Sequence, residues 1–110
     1  MTDLSKFGDL IREKRKEKGM TLSNVAQELN IDTSTLCKIE KNERSATKEM
    51  VIKIAEILDY NKNILLVSFF SDKVAYEIWR EENASNVLKV AEEKVQYLKS
   101  TNMEQSKINF

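Results

Sequence analysis

The sequence of 110 residues has no histidine, no proline, a single cysteine and only two glycines. Without histidine it lacks the commonest general base of enzymes, and Cys37 alone cannot supply a set of thiolate and imidazole metal ligands. One cysteine also cannot form an internal disulfide, which indicates a reducing, cytoplasmic setting. Together with the lack of a glycine-rich phosphate loop, these absences argue against an enzyme, and we expect no cofactor and no metal.

Long apolar runs and a bias in charge are missing as well. No segment approaches the roughly 20 apolar residues of a membrane-spanning helix. The first residues, MTDLSKFGDL, lack the basic-then-apolar layout of a signal peptide. The 18 Lys and Arg residues balance the 18 Asp and Glu residues. We therefore expect a cytoplasmic protein that is not inserted in a membrane and carries no net charge.

The residues that are present favour helices. Apolar residues make up 41% of the chain, enough for a packed core, and they recur at helical spacing among many Lys, Glu, Leu and Ala residues. We predict six helices, over about Ser5–Lys18, Leu22–Leu29, Thr33–Lys41, Lys48–Leu58, Lys62–Glu82 and Ser85–Ser100. Between them lie residues suited to start or end a helix: Gly19, Thr21, Asn30, Asp32, Asn42 and Thr47.

The segment NVAQELNIDTSTLCKIEKNE, residues 24–43, joins two of these short helices through a turn at residues 30–32. Such a short turn forces the helices to cross steeply, and the small side chain of Ala26 allows them to approach closely. The apolar residues predicted to be buried together are Val25, Leu29, Ile31, Leu36 and Ile39. The pattern predicts a helix-turn-helix.

With helices on both sides, this motif resembles the five-helix DNA-binding domain of phage-repressor-like regulators, the XRE family. The resemblance covers about Lys6–Leu66 and rests on Arg15, Thr21, Ala26, Asn30–Ile31, Leu36, the letters KIEK at 38–41 and the apolar fourth helix. It implies an all-α fold, with a five-helix repressor-like helix-turn-helix domain followed by a C-terminal helical dimerisation segment. We assign residues 1–66 to the DNA-binding domain, 67–100 to a helical hairpin and 101–110 to a flexible tail.

The resemblance also implies which residues read DNA bases. In this family the second helix of the motif places its N-terminal residues in the major groove, where short hydroxyls can approach base edges. The implied base-reading residues are Thr33, Ser34, Thr35, Cys37 and Lys38. The alternative is that residues 32–35 are only a polar helix start, since Ser and Thr favour that place.

Phosphate contacts are expected on both sides of the reading helix. The candidates are Ser23, Asn24, Lys41, Asn42 and Arg44. The alternative for Lys41 and Arg44 is an ordinary solvated loop. Many relatives hold a phosphate with a glutamine where this chain has Leu22, so that contact is lost here. By the same resemblance, Arg15 and Glu40 form a salt bridge between the first and third helices, which is a structural role.

The charge distribution predicts weak non-specific attraction to DNA. Residues 1–49 carry ten Lys and Arg against nine Asp and Glu, a net charge of +1, and residues 50–110 carry eight against nine, a net charge of −1. A DNA-binding protein usually has a basic footprint, which here can come only from the arrangement of charges. We therefore expect a modest dependence of DNA affinity on salt for each subunit.

Apolar stripes in the second half of the chain predict a two-fold dimer. The residues expected at its interface are Phe70, Val74, Ile78, Trp79, Leu88, Ala91, Val95 and Leu98. Two reading helices would then meet a palindromic site on double-stranded DNA, with half-sites ~34 Å apart. The alternative is that the helical hairpin folds back on its own domain.

Two classes of function remain once enzymes are set aside. The first is an autoregulatory transcription regulator, a repressor or a controller protein of the restriction-modification type, which could contact RNA polymerase through Glu43 or Glu49. The second is an antitoxin-like or other protein-interaction module, whose C-terminal helices bind a partner protein.

Overall fold

The computed structural model describes residues 4–101, and these residues form helices and no strands. The helices are α1 (Phe7–Glu17), α2 (Leu22–Leu29), α3 (Thr33–Glu40), α4 (Lys48–Ile57), α5 (Lys62–Ile78) and α6 (Ala84–Ser100). The all-α prediction is confirmed. The predicted bounds of α2 are confirmed, and the others differ by a residue or two, except that α5 ends at Ile78 and not at Glu82. The predicted tail lies outside the described residues, apart from Thr101.

The starts of α2 and α4 are fixed by threonine caps, as the sequence predicts. The Thr21 hydroxyl accepts the backbone N–H of Asn24 at 3.0 Å, and the Thr47 hydroxyl accepts that of Met50 at 3.2 Å. Asp32 occupies the corresponding place before α3, but its side chain makes no capping hydrogen bond. The predicted position of this cap is therefore right, whereas the predicted capping interaction is absent.

The turns after α1, α2 and α3 use residues that tolerate left-handed backbone. Gly19 has φ +69°, Asn30 has φ +58° and Asn42 has φ +62°. Glycine and asparagine are the residues that adopt this conformation at low cost, which is why the sequence indicates these three helix ends.

The first of two compact units ends at Val74 and contains the hydrophobic core. Side chains from α1 to α5 fill it, and the most deeply buried are Ile11, Val25, Leu36, Ile39, Val51, Ile54 and Leu65. Burying each such side chain contributes roughly 1.5–3 kcal/mol. Of the residues predicted to be buried at the helix-turn-helix, only Ile31 remains half-buried. Both α2 and α3 contribute side chains to this core.

The first turn of α1 contacts the end of α3 and the side of α5. The backbone N–H of Gly8 donates to Asn42 Oδ1 at 2.9 Å, and that of Phe7 donates to Asp72 Oδ2 at 2.7 Å. A Cβ atom at Gly8 would lie 2.5 Å from the carbonyl oxygen of Ile39. Glycine is therefore required for α1 to approach α3 this closely.

The second unit begins at Ala75 and includes the end of α5 and all of α6. No residue of α6 is buried. The exposed large apolar residues of this unit are Tyr76, Trp79, Val87, Leu88, Val90, Val95 and Tyr97. The division of the chain after residue 66 stays a prediction.

Two kinds of feature are missing from residues 4–101. None of their helices is long and apolar enough to cross a membrane. In the same range, no three His, Cys, Asp or Glu side chains lie close enough together to hold a metal ion.

Candidate nucleic-acid interface

A three-residue turn joins α2 to α3. Asn30 ends α2 in the left-handed conformation, and the backbone N–H of Ile31 donates to the Ala26 carbonyl at 3.0 Å. Ala26 is buried, and its small side chain allows other helices to approach α2 closely. A turn this short is typical of a helix-turn-helix, in which the two helices cross at a large angle.

The two faces of α3 have opposite character. Leu36, Ile39 and Glu40 are buried, while the other side of the helix faces solvent. Of the five residues predicted to read bases, Thr33, Ser34 and Lys38 are exposed, and Thr35 and Cys37 are half-buried. Ser34 and Lys38 are four residues apart and therefore lie on one face. The helix thus presents short hydroxyls and one long cation to solvent. Their contact with bases stays a prediction.

The buried face of α3 is held to α1 by an ion pair. Arg15 Nε donates to Glu40 Oε2 at 2.8 Å, and Nη2 donates to Glu40 Oε1 at 3.0 Å. The remaining guanidinium nitrogen, Nη1, donates to the Met20 carbonyl at 2.9 Å. The side chains are only 10% and 5% exposed. The hydrogen bond to Glu40 raises the pKa of Arg15, against the opposing effect of burial. The salt bridge implied by the resemblance is therefore present, as a two-bond pair.

The candidate phosphate contacts lie on both sides of α3. Ser23, Asn24, Lys41 and Arg44 are exposed, and Asn42 is half-buried. The Asn24 side chain accepts the backbone N–H of Thr21 at 3.2 Å.

Both polar atoms of the Asn42 side chain form hydrogen bonds within the protein. Its oxygen accepts the backbone N–H of Gly8, and its nitrogen donates to Asp9 Oδ1 at 3.4 Å. The side chains of Lys41 and Arg44 form no ion pair in the described part of the chain, which leaves them available to an anion. All five phosphate contacts stay predictions.

An open groove of about 460 Å³ lies between α2 and the beginning of α3. Its lining residues are Ser23, Gln27, Asn30, Ile31, Asp32 and Thr33. Sequence reasoning missed Gln27, although it lies four residues after Ser23 and so falls on the same face of α2. The groove therefore joins a candidate phosphate contact, Ser23, to a candidate base reader, Thr33.

Two helices joined by a three-residue turn, with the second buried on one face and polar on the other, define a helix-turn-helix DNA-binding domain. The helix-turn-helix family model matches residues 11–65, from within α1 to the fourth residue of α5. The chain belongs to this family, of the XRE type, and is a DNA-binding transcription regulator.

The fold is also similar to that of a solved structure, a chain of the SinR protein/SinI protein complex. The TM-score is 0.51 at 22% sequence identity, and the similarity covers 91% of this chain and 98% of that one. No curated protein matches the sequence.

Proposed function

We propose that this regulator recognises a specific operator by placing the exposed face of α3 in the major groove. The observation that carries the proposal is the fixed orientation of α3, whose buried face is held by Leu36, Ile39 and the ion pair of Glu40 with Arg15. A Thr33 methyl can contact a thymine methyl, and Lys38 can donate to guanine O6 and N7. Ser34, Thr35 and Cys37 complete the reading surface.

Phosphate contacts orient α3 on the duplex without reading sequence. Ser23 and Asn24 supply them from the start of α2, while Lys41 and Arg44 supply them from the loop after α3. Asn42 belongs to the same loop, and its side chain serves mainly to hold that loop against α1. With few cations in this set, the non-specific affinity for DNA is low and depends weakly on salt.

The regulator acts as a homodimer on a palindromic operator with half-sites ~34 Å apart. The support is the exposure of large apolar side chains, including Trp79 at 64% and Phe70 at 45%. The proposed interface consists of Phe70, Val74, Ile78, Trp79, Leu88, Ala91, Val95 and Leu98. Ile78 and Leu98 are half-buried in one protomer, and the other six are exposed. A second copy of the chain would remove this apolar surface from water.

Such a dimer is suited to autoregulation, which is the mode of control that we propose. Because dimer formation depends on the concentration of the chain by mass action, operator occupancy reports how much regulator the cytoplasm contains. A repressor and a controller of the restriction-modification type both work in this way. Activation would need contact with RNA polymerase, for which the exposed Glu43 and Glu49 are the candidates.

A second candidate function is a protein-interaction module of the antitoxin type. The observation that favours it is the exposed apolar surface of α6, together with the fold shared with a protein solved in complex with another protein. In this case a different protein, and not a second copy, covers α6, and the DNA-binding half regulates the operon.

The first experiment measures binding to DNA from just upstream of the gene by fluorescence anisotropy, against scrambled DNA, at two salt concentrations. The variants are a Thr33→Ala/Ser34→Ala/Lys38→Ala triple, a Lys41→Ala variant, and Lys62→Ala as an exposed control at the start of α5. We expect the triple variant to lose the preference for upstream DNA. Lys41→Ala should weaken binding to both DNAs and reduce the salt slope by about one. Equal binding of the wild type to both DNAs would contradict autoregulation, and an unchanged preference in the triple variant would contradict reading by α3.

A further inference from the structure

Asp32 differs from Thr21 and Thr47, the residues that cap α2 and α4 in this domain. It has the extended backbone of an N-cap, with φ −69° and ψ 145°, and aspartate is among the strongest capping residues. The two threonines in equivalent positions, Thr21 and Thr47, both form their capping hydrogen bond. The Asp32 carboxylate does not, and it is exposed. Its oxygens are therefore free to accept hydrogen bonds from another molecule.

The position of Asp32 indicates what that molecule is. Its side chain lines the open groove between α2 and α3, next to Thr33, the first of the candidate base readers. Among the six residues that line this groove, Asp32 is the only one with a charge. An ionised carboxylate has acceptors and no donor, whereas the hydroxyls of Ser23 and Thr33 both donate and accept. Among the lining residues, Asp32 is thus the one whose side chain accepts hydrogen bonds and donates none.

We propose that Asp32 is a specificity-determining residue that selects cytosine in each half-site of the operator. The proposal rests on the proposed function, because it needs α3 in the major groove. There cytosine presents only the N4 amino group, which donates, while guanine presents the O6 and N7 acceptors and thymine presents O4. A carboxylate therefore attracts cytosine and repels guanine and thymine. Adenine is intermediate, since its N6 donor lies beside the N7 acceptor.

The negative charge has a second effect on recognition. It is repelled by the phosphates of every DNA sequence, so it weakens binding to all sites and is compensated only where cytosine donates to it. Asp32 thus gives specificity partly through repulsion from wrong sites. A residue that only stabilised α3 through the helix dipole would also be repelled by phosphates, but it would not change the base preference.

The test is selection of binding sites from a random DNA library by the full chain and by Asp32→Ala and Asp32→Asn variants. Glu28→Ala is the matched control, because it removes the same charge from an exposed position on α2 outside the groove. Binding to scrambled DNA is measured alongside. The Asp32→Asn variant keeps a residue that favours the N-cap position, so it guards against loss of the fold.

We expect the wild-type sites to share a cytosine at one position per half-site, favoured over guanine or thymine by about five- to a hundredfold. Asp32→Ala should lose the preference at that position alone and bind scrambled DNA more tightly. Asp32→Asn should shift the preference towards adenine, because asparagine pairs with adenine N6 and N7. Glu28→Ala should keep the cytosine.

An Asp32→Ala variant that selects the same sequence as the wild type would overturn the role of Asp32 while leaving the proposed function intact. Wild-type sites that share no cytosine would also overturn the role of Asp32 and leave the proposed function intact. A wild-type chain that enriches no sequence at all would overturn the proposed function, and the role of Asp32 with it.

Discussion

At the scale of single residues, the ion pair of Arg15 with Glu40 is the most consequential contact below the surface of α3. Three nitrogens of the guanidinium have hydrogen-bond partners, so the charge of Arg15 is well compensated. Because the pKa of Arg15 is raised, its contribution to stability is fully present at every pH below the ordinary arginine pKa. It is lost only as the pH rises through the raised value, so the arginine contributes no pH dependence near neutrality.

Replacing Arg15 should destabilise the protein strongly. Arg15→Met leaves the Glu40 carboxylate buried without its partner, and we expect a loss of about 3–5 kcal/mol in the free energy of unfolding. Urea denaturation followed by circular dichroism measures it. The double variant Arg15→Met/Glu40→Leu should cost less than the single one, because no unpaired charge remains.

The control for this measurement is Lys18→Ala. Lys18 Nζ lies 3.7 Å from Asp59 Oδ2 in an exposed ion pair, which contributes at most about 1 kcal/mol to the free energy of unfolding. If Arg15→Met lowers the free energy of unfolding no more than Lys18→Ala does, the buried pair does not hold α3 to α1.

At the scale of helices, local signals account for much of what the sequence predicts. The bounds of α2 follow from the Thr21 cap and from Asn30, since both act on backbone groups within four residues. The end of α5 at Ile78, four residues before the predicted end, is not marked by a capping residue of this kind. Residues 79–82 are not poor helix formers. The chain instead leaves the α-helix through a tighter turn, in which the backbone N–H of Glu81 donates to the Ile78 carbonyl, three residues earlier, at 2.9 Å.

The candidate site shows the same division between local and distant interactions. The exposed side of α3 could be predicted from helical periodicity, because Leu36 and Ile39 fix which face is buried. The partners of Asn42 could not, since Gly8 and Asp9 lie more than thirty residues earlier in the chain. The missing cap bond of Asp32 depends on side-chain geometry, which residue type alone does not determine.

The contact between α1 and α3 can be tested with Gly8→Ala. Alanine is the better helix former by about 1 kcal/mol, so an isolated helix would gain stability. Here the new methyl group would overlap the carbonyl oxygens of Ile39 and Glu40, at 2.5 and 2.6 Å. We expect a net loss of about 2–3 kcal/mol, measured by urea denaturation.

Gly19→Ala is the comparison for this variant. A Cβ atom at Gly19 has no neighbour within 4 Å, so its cost of about 1–2 kcal/mol comes from the left-handed backbone alone. A Gly8→Ala variant as stable as the wild type would mean that α1 and α3 separate easily.

At the scale of the whole molecule, the exposed apolar side chains predict assembly. Light scattering over a concentration series should give a dimer mass at tens of micromolar, falling towards the monomer mass on dilution. Trp79→Ala should shift the equilibrium towards monomer by at least tenfold, because large aromatic side chains commonly anchor interfaces.

Tyr97→Ala is the matched control for the dimer. Tyr97 is as exposed as Trp79, at 67%, and lies outside the proposed interface set. Equal effects of the two variants would show that surface apolarity in general, and not this interface, drives association. A wild-type chain that stays monomeric at tens of micromolar would contradict the dimer.

The single tryptophan and the single cysteine can each report on a different event in solution. Trp79 lies in the second unit, and Cys37, the single cysteine, lies on α3 in the first. The native chain therefore carries two spectroscopic reporters in separate parts. A blue shift of the intrinsic fluorescence would register covering of the Trp79 ring, while slower reaction of the Cys37 thiol with a chromogenic thiol reagent would register an approaching duplex. Assembly and operator occupancy can thus be followed in one cuvette, at two wavelengths, without engineering either reporter into the protein.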